Sequence, residues 1–236
     1  MKVLITGSLG NIGSAAVRYY LNEACEVVGI DNDMRKHFFG SEASVAKNKI
    51  DHSNYTHMGC DMASKEVEAV FQSWKPDVII HAGAQTSEEW SIQNPLTDLG
   101  INAMSTLMLL EMTKKHTPEA IFVFLANTDD IESSPMQISK WTAELHTLLY
   151  ARQYGLTTGI FKCKNVVSRA SVKKEVNDES IHAKDCVRMI DRFVREPMPG
   201  ASYSVDRQVL SNPFFERYQN FKFQYNEWAI MEDLKK

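Results

Sequence analysis

Near the start of the chain, Thr6-Gly7-Ser8-Leu9-Gly10-Asn11-Ile12-Gly13 places three glycines between a short apolar run and a helical pattern. Glycine suits such a turn because the backbone must bend sharply and let a pyrophosphate approach with no Cβ in the way. The helix that follows would aim its unpaired N–H groups and partial positive charge at the phosphates. Asp31, with Asn32 beside it, closes the next apolar run. A carboxylate there accepts hydrogen bonds from an adenosine ribose and repels a 2′-phosphate, so the two features point to a dinucleotide, NAD in preference to NADP. Arg35 and Lys36 follow closely and could pair with a 2′-phosphate, which leaves NADP open. The expected contacts are Gly7, Leu9, Gly10, Asn11, Ile12, Gly13, Asp31 and Asn32. Cys25, Cys60, Cys163 and Cys186 are far apart with no CxxC pair. They read as reduced, buried thiols, and no metal centre or disulfide framework is expected.

A glycine turn of this kind needs a strand before it and a helix after it. Lys2–Thr6 reads as a strand covered on both faces, because β-branched and apolar residues run without interruption. Further strands are expected at Glu26–Ile30, Tyr55–Cys60, Asp77–His81, Ala120–Leu125 and Thr157–Phe161. Helices are expected at Ile12–Ala24 and Lys65–Trp74, from Pro95 to His116 and from Pro135 to Tyr154. This alternation implies right-handed crossovers and an α/β fold, a doubly wound parallel sheet with helices on both faces. After Asn165 the alternation fades, leaving a helix at Ala183–Arg195, a strand at Ala201–Val205 and a terminal helix at Asn226–Lys236. The expected organisation is a dinucleotide-binding domain over 1–165, with a reduced C-terminal region over 166–236 packed on it. At 44% hydrophobic and 24% charged, the composition is that of a packed soluble chain. The 26 Lys+Arg against 30 Asp+Glu leave a net charge of −4, which provides no basic field for nucleic acid or an anionic membrane. No run of ~20 apolar residues could span a bilayer, and the apolar run before the glycines is too short for a signal peptide. A cytoplasmic location is expected.

Other segments extend the pattern. Asp31-Asn32-Asp33 forms an acidic turn, and Cys60-Asp61-Met62 places a carboxylate after the third strand. His81-Ala82-Gly83-Ala84-Gln85 follows the fourth, Asn94-Pro95, Asn102 and Leu109-Leu110-Glu111 punctuate one long helix, and Ile181-His182-Ala183-Lys184-Asp185 opens a late one. With TGxxGxxG at the start, the chain resembles the extended short-chain dehydrogenase/reductases, the NAD-dependent sugar-nucleotide epimerases and dehydratases. That resemblance implies a Rossmann-type fold with NAD as cofactor, and hydride chemistry on a small-molecule substrate, a nucleotide sugar. It adds Asp61, Met62, Ala82, Gly83, Ala84 and Asn102 to the cofactor contacts and places Gln85 and Asn165 near the substrate. In the family the helices matching 95–116 and 135–154 pair with those of a second copy, so a homodimer is expected.

The family's acid–base centre is Tyr-x-x-x-Lys, with a Ser or Thr just after the fifth strand. Residues i and i+4 share a helix face, so the ammonium lies beside the phenol and helps it trade protons. Lys140 matches the lysine, which in the family also bonds the nicotinamide ribose. Met136 stands where the tyrosine belongs, and a thioether has no proton to give. Asn127 falls at the usual serine, with Thr128 one residue late. Lys140, Asn127 and Thr128 are therefore the candidate catalytic residues, and Asp129 and Asp130 are replacement acid–base groups weighed against a solvated acidic loop. The family's arginine ahead of Ile181 is replaced by Asp178 and Glu179, with Lys173 and Lys174 the nearest cations. The expectation is an epimerase/dehydratase-like protein with an altered catalytic centre, or else a non-catalytic dinucleotide-binding sensor, scaffold or partner subunit.

Overall fold

The computed structural model describes residues 1–126, 134–170, 176–177, 179–205 and 221–235. In chain order the elements are β1 (Lys2–Thr6), α1 (Asn11–Asn22), β2 (Glu26–Ile30), α2 (Met34–Phe39), β3 (Tyr55–Met58) and α3 (Lys65–Ser73). There follow β4 (Val78–His81), α4 (Glu88–Gln93), α5 (Pro95–Leu99), α6 (Ser105–His116), β5 (Ile121–Ala126) and α7 (Pro135–Tyr154). The remainder is β6 (Thr158–Cys163), β7 (Val166–Val167), β8 (Ile181–His182), α8 (Ala183–Arg195), β9 (Ala201–Val205) and α9 (Glu227–Lys235). Seven strands form one parallel sheet in the order β3-β2-β1-β4-β5-β6-β9, and β7 and β8 make a small parallel pair beside it.

The central strands β1, β4 and β5 are largely apolar because helices cover both faces, whereas the edge strands β3 and β9 carry polar residues. On one face α1 and α8 pack over Val3, Ile5, Val123 and Phe161; on the other α3, α6 and α7 cover Leu4, Ile79, Phe122 and Phe124. β9 lies beyond residue 165 yet pairs with β6, setting Tyr203 opposite Phe161 with their rings stacked at 5.0 Å. Phe193 of α8 meets both rings edge-on, and Gly159 of β6 makes room for it: a Cβ there would lie 2.5 Å from the Phe193 ring.

The helix expected from Pro95 to His116 is built in three parts, because residues 100–104 form a π-helical turn between α5 and α6. That turn buries Asn102 and Ala103 while leaving Met104 exposed. The short elements α2, α4, β7 and β8 were not legible in the hydrophobic pattern; each is too brief to show a period. Ser87 caps α4 by accepting the Trp90 N–H at 3.2 Å, and Ser134 caps α7 by accepting that of Gln137 at 3.4 Å.

Phe193→Ala should destabilise the protein by about 3–5 kcal/mol, since it empties a ring-sized space that Gly159 cannot fill. Urea unfolding measures this; a loss under 1 kcal/mol would mean that α8 is not locked to β6 in this way.

Candidate functional site

The sheet order reverses between β1 and β4, and a cavity of about 350 Å³ opens there at the carboxyl ends of the strands. Ligands of open α/β sheets bind at such a reversal. The wall begins with the glycine turn. Gly7 has φ +64°, and a Cβ on it would sit 2.7 Å from the Gly83 nitrogen and 2.8 Å from the Ala82 carbonyl oxygen. A Cβ on Gly13 would lie 2.0 Å from the Gly7 oxygen. The first glycine lets the turn pass under β4, and the last lets α1 start flush against the turn.

Most of the residues expected from the sequence meet at this cavity. Gly7, Gly10, Asn11, Ile12 and Gly13 line it, as do Asp31, Asn32, Asp61, Met62, Ala82, Gly83, Ala84, Gln85 and Lys140. Asp31 accepts the Leu9 N–H at 3.0 Å and the Asp33 N–H at 2.9 Å, which ties the glycine turn to the end of β2. Burial pushes its carboxyl above the usual range, and those two N–H groups oppose the shift. Arg35 also lines the cavity; its buried Nε has no hydrogen-bond partner among the described residues, and its guanidinium sits 5.4 Å from the Phe39 ring.

Several expected residues make contacts within the protein. Leu9 is buried off the cavity; its carbonyl accepts from Asn48 at 2.7 Å. Asn102 is also off the cavity wall. Its Oδ1 accepts the Gln85 N–H at 2.9 Å and its Nδ2 donates to the Gln85 carbonyl at 3.0 Å, gripping that backbone as a paired strand would. The Gln85 side chain turns inward, donating to Asp98 at 2.9 Å and to the Ser87 carbonyl at 2.8 Å. Asn165, with φ +49°, is exposed and donates to Glu179 at 3.3 Å. Asn127, Thr128, Asp129, Asp130, Lys173, Lys174 and Asp178 lie outside the described residues.

Asp98 and Ser139 complete a buried network that the sequence reading missed. Ser139 donates to Asp98 at 2.6 Å, and Asn102 bonds both. The spacing of Asp98 and Asn102, one helical turn, was the available signal. Asn11 was expected to touch the cofactor, yet its amide donates to the Val166 carbonyl at 2.5 Å and accepts from Ser168, binding β7 over the start of α1.

Lys140 is 5% exposed, donates to the Leu125 carbonyl at 2.6 Å, and lies 4.4 Å over the Phe124 ring. Burial lowers its pKa to about 8. One turn earlier, Met136 is 3% exposed, its N–H bonded to Ser91 at 3.2 Å. His81 is locked between Thr6 at 2.7 Å and Thr106 at 2.8 Å, and burial with the nearby Lys140 charge drives its pKa to about 3, so it stays neutral. It is a structural strut, as a lone strand-end histidine suggests.

The sequence profile of the NAD dependent epimerase/dehydratase family matches residues 3–183. The chain belongs to that family, whose cofactor is NAD. It is 27% identical over 201 residues to a dTDP-glucose 4,6-dehydratase of Salmonella typhimurium, covering 70% of this chain and 54% of that one. A putative UDP-glucose 4-epimerase of Methanocaldococcus jannaschii is 26% identical over 84% of this chain and 64% of its own. The chain thus spans between about half and two thirds of these relatives. In fold it resembles the Bordetella bronchiseptica enzyme WbmF solved with NAD+, with a TM-score of 0.75 at 19% identity, covering 87% of this chain and 72% of that one. Among the described residues no helix is long and apolar enough to cross a membrane and no group of side chains could hold a metal ion.

An unfolded lysine keeps its proton to about pH 10.4, whereas folded Lys140 releases it near 8. Between those values the unfolded chain binds more protons, so stability contributed at this site rises with pH, by up to ~1.4 kcal/mol per unit, and is flat below pH 8. Urea unfolding of the protein and of Lys140→Met at pH 7, 8, 9 and 10 should show the natural chain gaining on the variant above pH 8. Parallel curves would refute the burial of this charge.

Proposed function

We propose that this chain binds NAD in the cleft between β1 and β4 and works on, or responds to, a nucleotide sugar with an acid–base centre that departs from the family's pattern. The observation that carries this is the convergence on one cleft of the Gly7–Gly13 turn, the Asp31 carboxylate and buried Lys140. The N–H groups at the start of α1 suit a pyrophosphate. Each Asp31 oxygen accepts one backbone N–H and keeps room for a ribose hydroxyl. Lys140 donates one N–H to the Leu125 carbonyl and has two left for a nicotinamide ribose. The nucleotide sugar is inferred from the printed activities of the relatives, as is a cytoplasmic setting from four free thiols.

When bound, NAD would supply hydride transfer; the protein's part is proton transfer and positioning. With Met136 buried one turn before Lys140, no phenol stands in the usual place, and positioned acid–base groups contribute ~10²–10⁴-fold in rate. That same observation favours a second reading, a dinucleotide-binding sensor, scaffold or partner subunit. The inward Gln85 amide and the Asn165–Glu179 bond support it too, since both side chains are occupied within the protein.

A homodimer through α5–α7 is part of the proposal. Ile138, Trp141, Leu145 and Leu149 form an exposed stripe along α7, with Leu96 and Met104 exposed on the neighbouring segments.

NAD at one hundred times its Kd should stabilise the protein by ~2.7 kcal/mol, and Asp31→Ala should weaken NAD at least tenfold while affecting NADP less. Thermal melting reads both, and no shift with NAD refutes the cofactor assignment. Turnover of dTDP-glucose or UDP-glucose should fall ~10²–10⁴-fold below that of relatives carrying the tyrosine; none at all selects the sensor reading. Sedimentation should give a dimer, with Trp141→Glu/Leu145→Glu a monomer; a monomeric natural chain refutes the interface.

A further inference from the structure

Two of the four thiols are neighbours in space despite a separation of 23 residues. Cys163, the last residue of β6, lies with its Sγ 3.4 Å from that of Cys186 in the first turn of α8. Cys163 is half-buried and lines the cleft together with Lys140 and Val166, whereas Cys186 is wholly buried in the core beneath it. Cys25 and Cys60 have no thiol partner among the described residues. A disulfide needs an S–S separation of about 2.05 Å, so the pair must close by roughly 1.4 Å, within reach of a side-chain rotation and a small backbone adjustment. This juxtaposition is a product of the fold alone, because α8 returns across the sheet to lie against β6.

We propose that Cys163 and Cys186 are a peroxide-oxidisable dithiol entered through the cleft, so that a bound dinucleotide shields it. Of this pair, Cys163 reacts first because it reaches the cavity and Cys186 does not. Its thiolate sulfur attacks a peroxide oxygen; the S–O bond forms, the O–O bond breaks, and the departing hydroxide takes up a proton to leave as water. The Cys186 sulfur then attacks that sulfenic sulfur, forming the S–S bond and releasing a second water. Two thiols lose two electrons in total, and one hydrogen peroxide becomes two waters. Contact with Cys163, followed by burial, pushes the Cys186 thiol well up, in keeping with its place as the second partner. The bond would close residues 163–186 into a loop, fastening β7 and its Asn11 contacts to α8. A reducing dithiol would reverse it.

Only the shielding rests on the cofactor reading, and the experiment separates the two. The protein without added ligand is treated with hydrogen peroxide, remaining thiols are alkylated, and peptides are mapped by mass. The expected product joins the Cys163 and Cys186 peptides with loss of two hydrogens and reverts with dithiothreitol. Cys186→Ala should leave a Cys163 sulfenic acid that dimedone traps, and Cys163→Ser should leave Cys186 unreacted. Oxidation of Cys25 or Cys60 while both Cys163 and Cys186 stay alkylatable overturns the dithiol. NAD at ten times its Kd should slow the cross-link about tenfold, as only the unoccupied fraction reacts. An unchanged rate under a thermal shift that confirms NAD binding overturns the shielding; absence of that shift strikes the cofactor reading and leaves the ligand-free result standing.

Discussion

The structure depends on how closely three backbones can approach at the end of β1. Gly7 turns with φ +64° directly beneath the Ala82–Gly83 backbone, and α1 begins so near that turn that a Gly13 Cβ would stand 2.0 Å from the Gly7 oxygen. A methyl group at either place would force β1 from β4 or α1 from the turn, and both separations open the core between them. The cleft is thus a consequence of packing as much as a binding device. The backbone is bare where a phosphate would fit because nothing larger than hydrogen could be accommodated.

Around that approach the protein uses buried polar groups as fasteners, and they are satisfied almost completely. Asn102 copies the pattern of a paired strand onto Gln85, while Asp98 and Ser139 share its remaining N–H. His81 bridges Thr6 and Thr106 in its neutral form. Such networks stabilise a single arrangement, because an unpaired member left in the interior would cost about 1–3 kcal/mol. They also commit the side chains of Gln85 and Asn102 to holding the segment after β4 in place.

Lys140 and Met136 share one face of α7 at the cleft. A lysine with a lowered pKa lies beside a thiol and a backbone carbonyl, and the residue one helical turn before it is a buried thioether. A cation can orient a ribose and steady a developing charge, but a thioether cannot relay a proton.

Much of this could be read along the chain. Apolar runs marked the central strands, Pro135 marked the start of α7, and the glycine spacing with Asp31 marked the cleft, because each depends on neighbours within a few residues. Short elements such as α4 and β7 had no room for a period, and the π turn at 100–104 left no local trace. Asn102, Gln85 and Asn11 were expected as site residues, and their side chains bond within the protein to partners 17, 13 and 155 residues away. The sequence by itself determined the sheet, the turn and the carboxylate that suits a ribose, since periodicity and glycine geometry are local. Only the tertiary structure decided which polar groups remain free and which thiols meet, because hydrogen-bond capacity is consumed by whichever partner the fold brings within 3 Å.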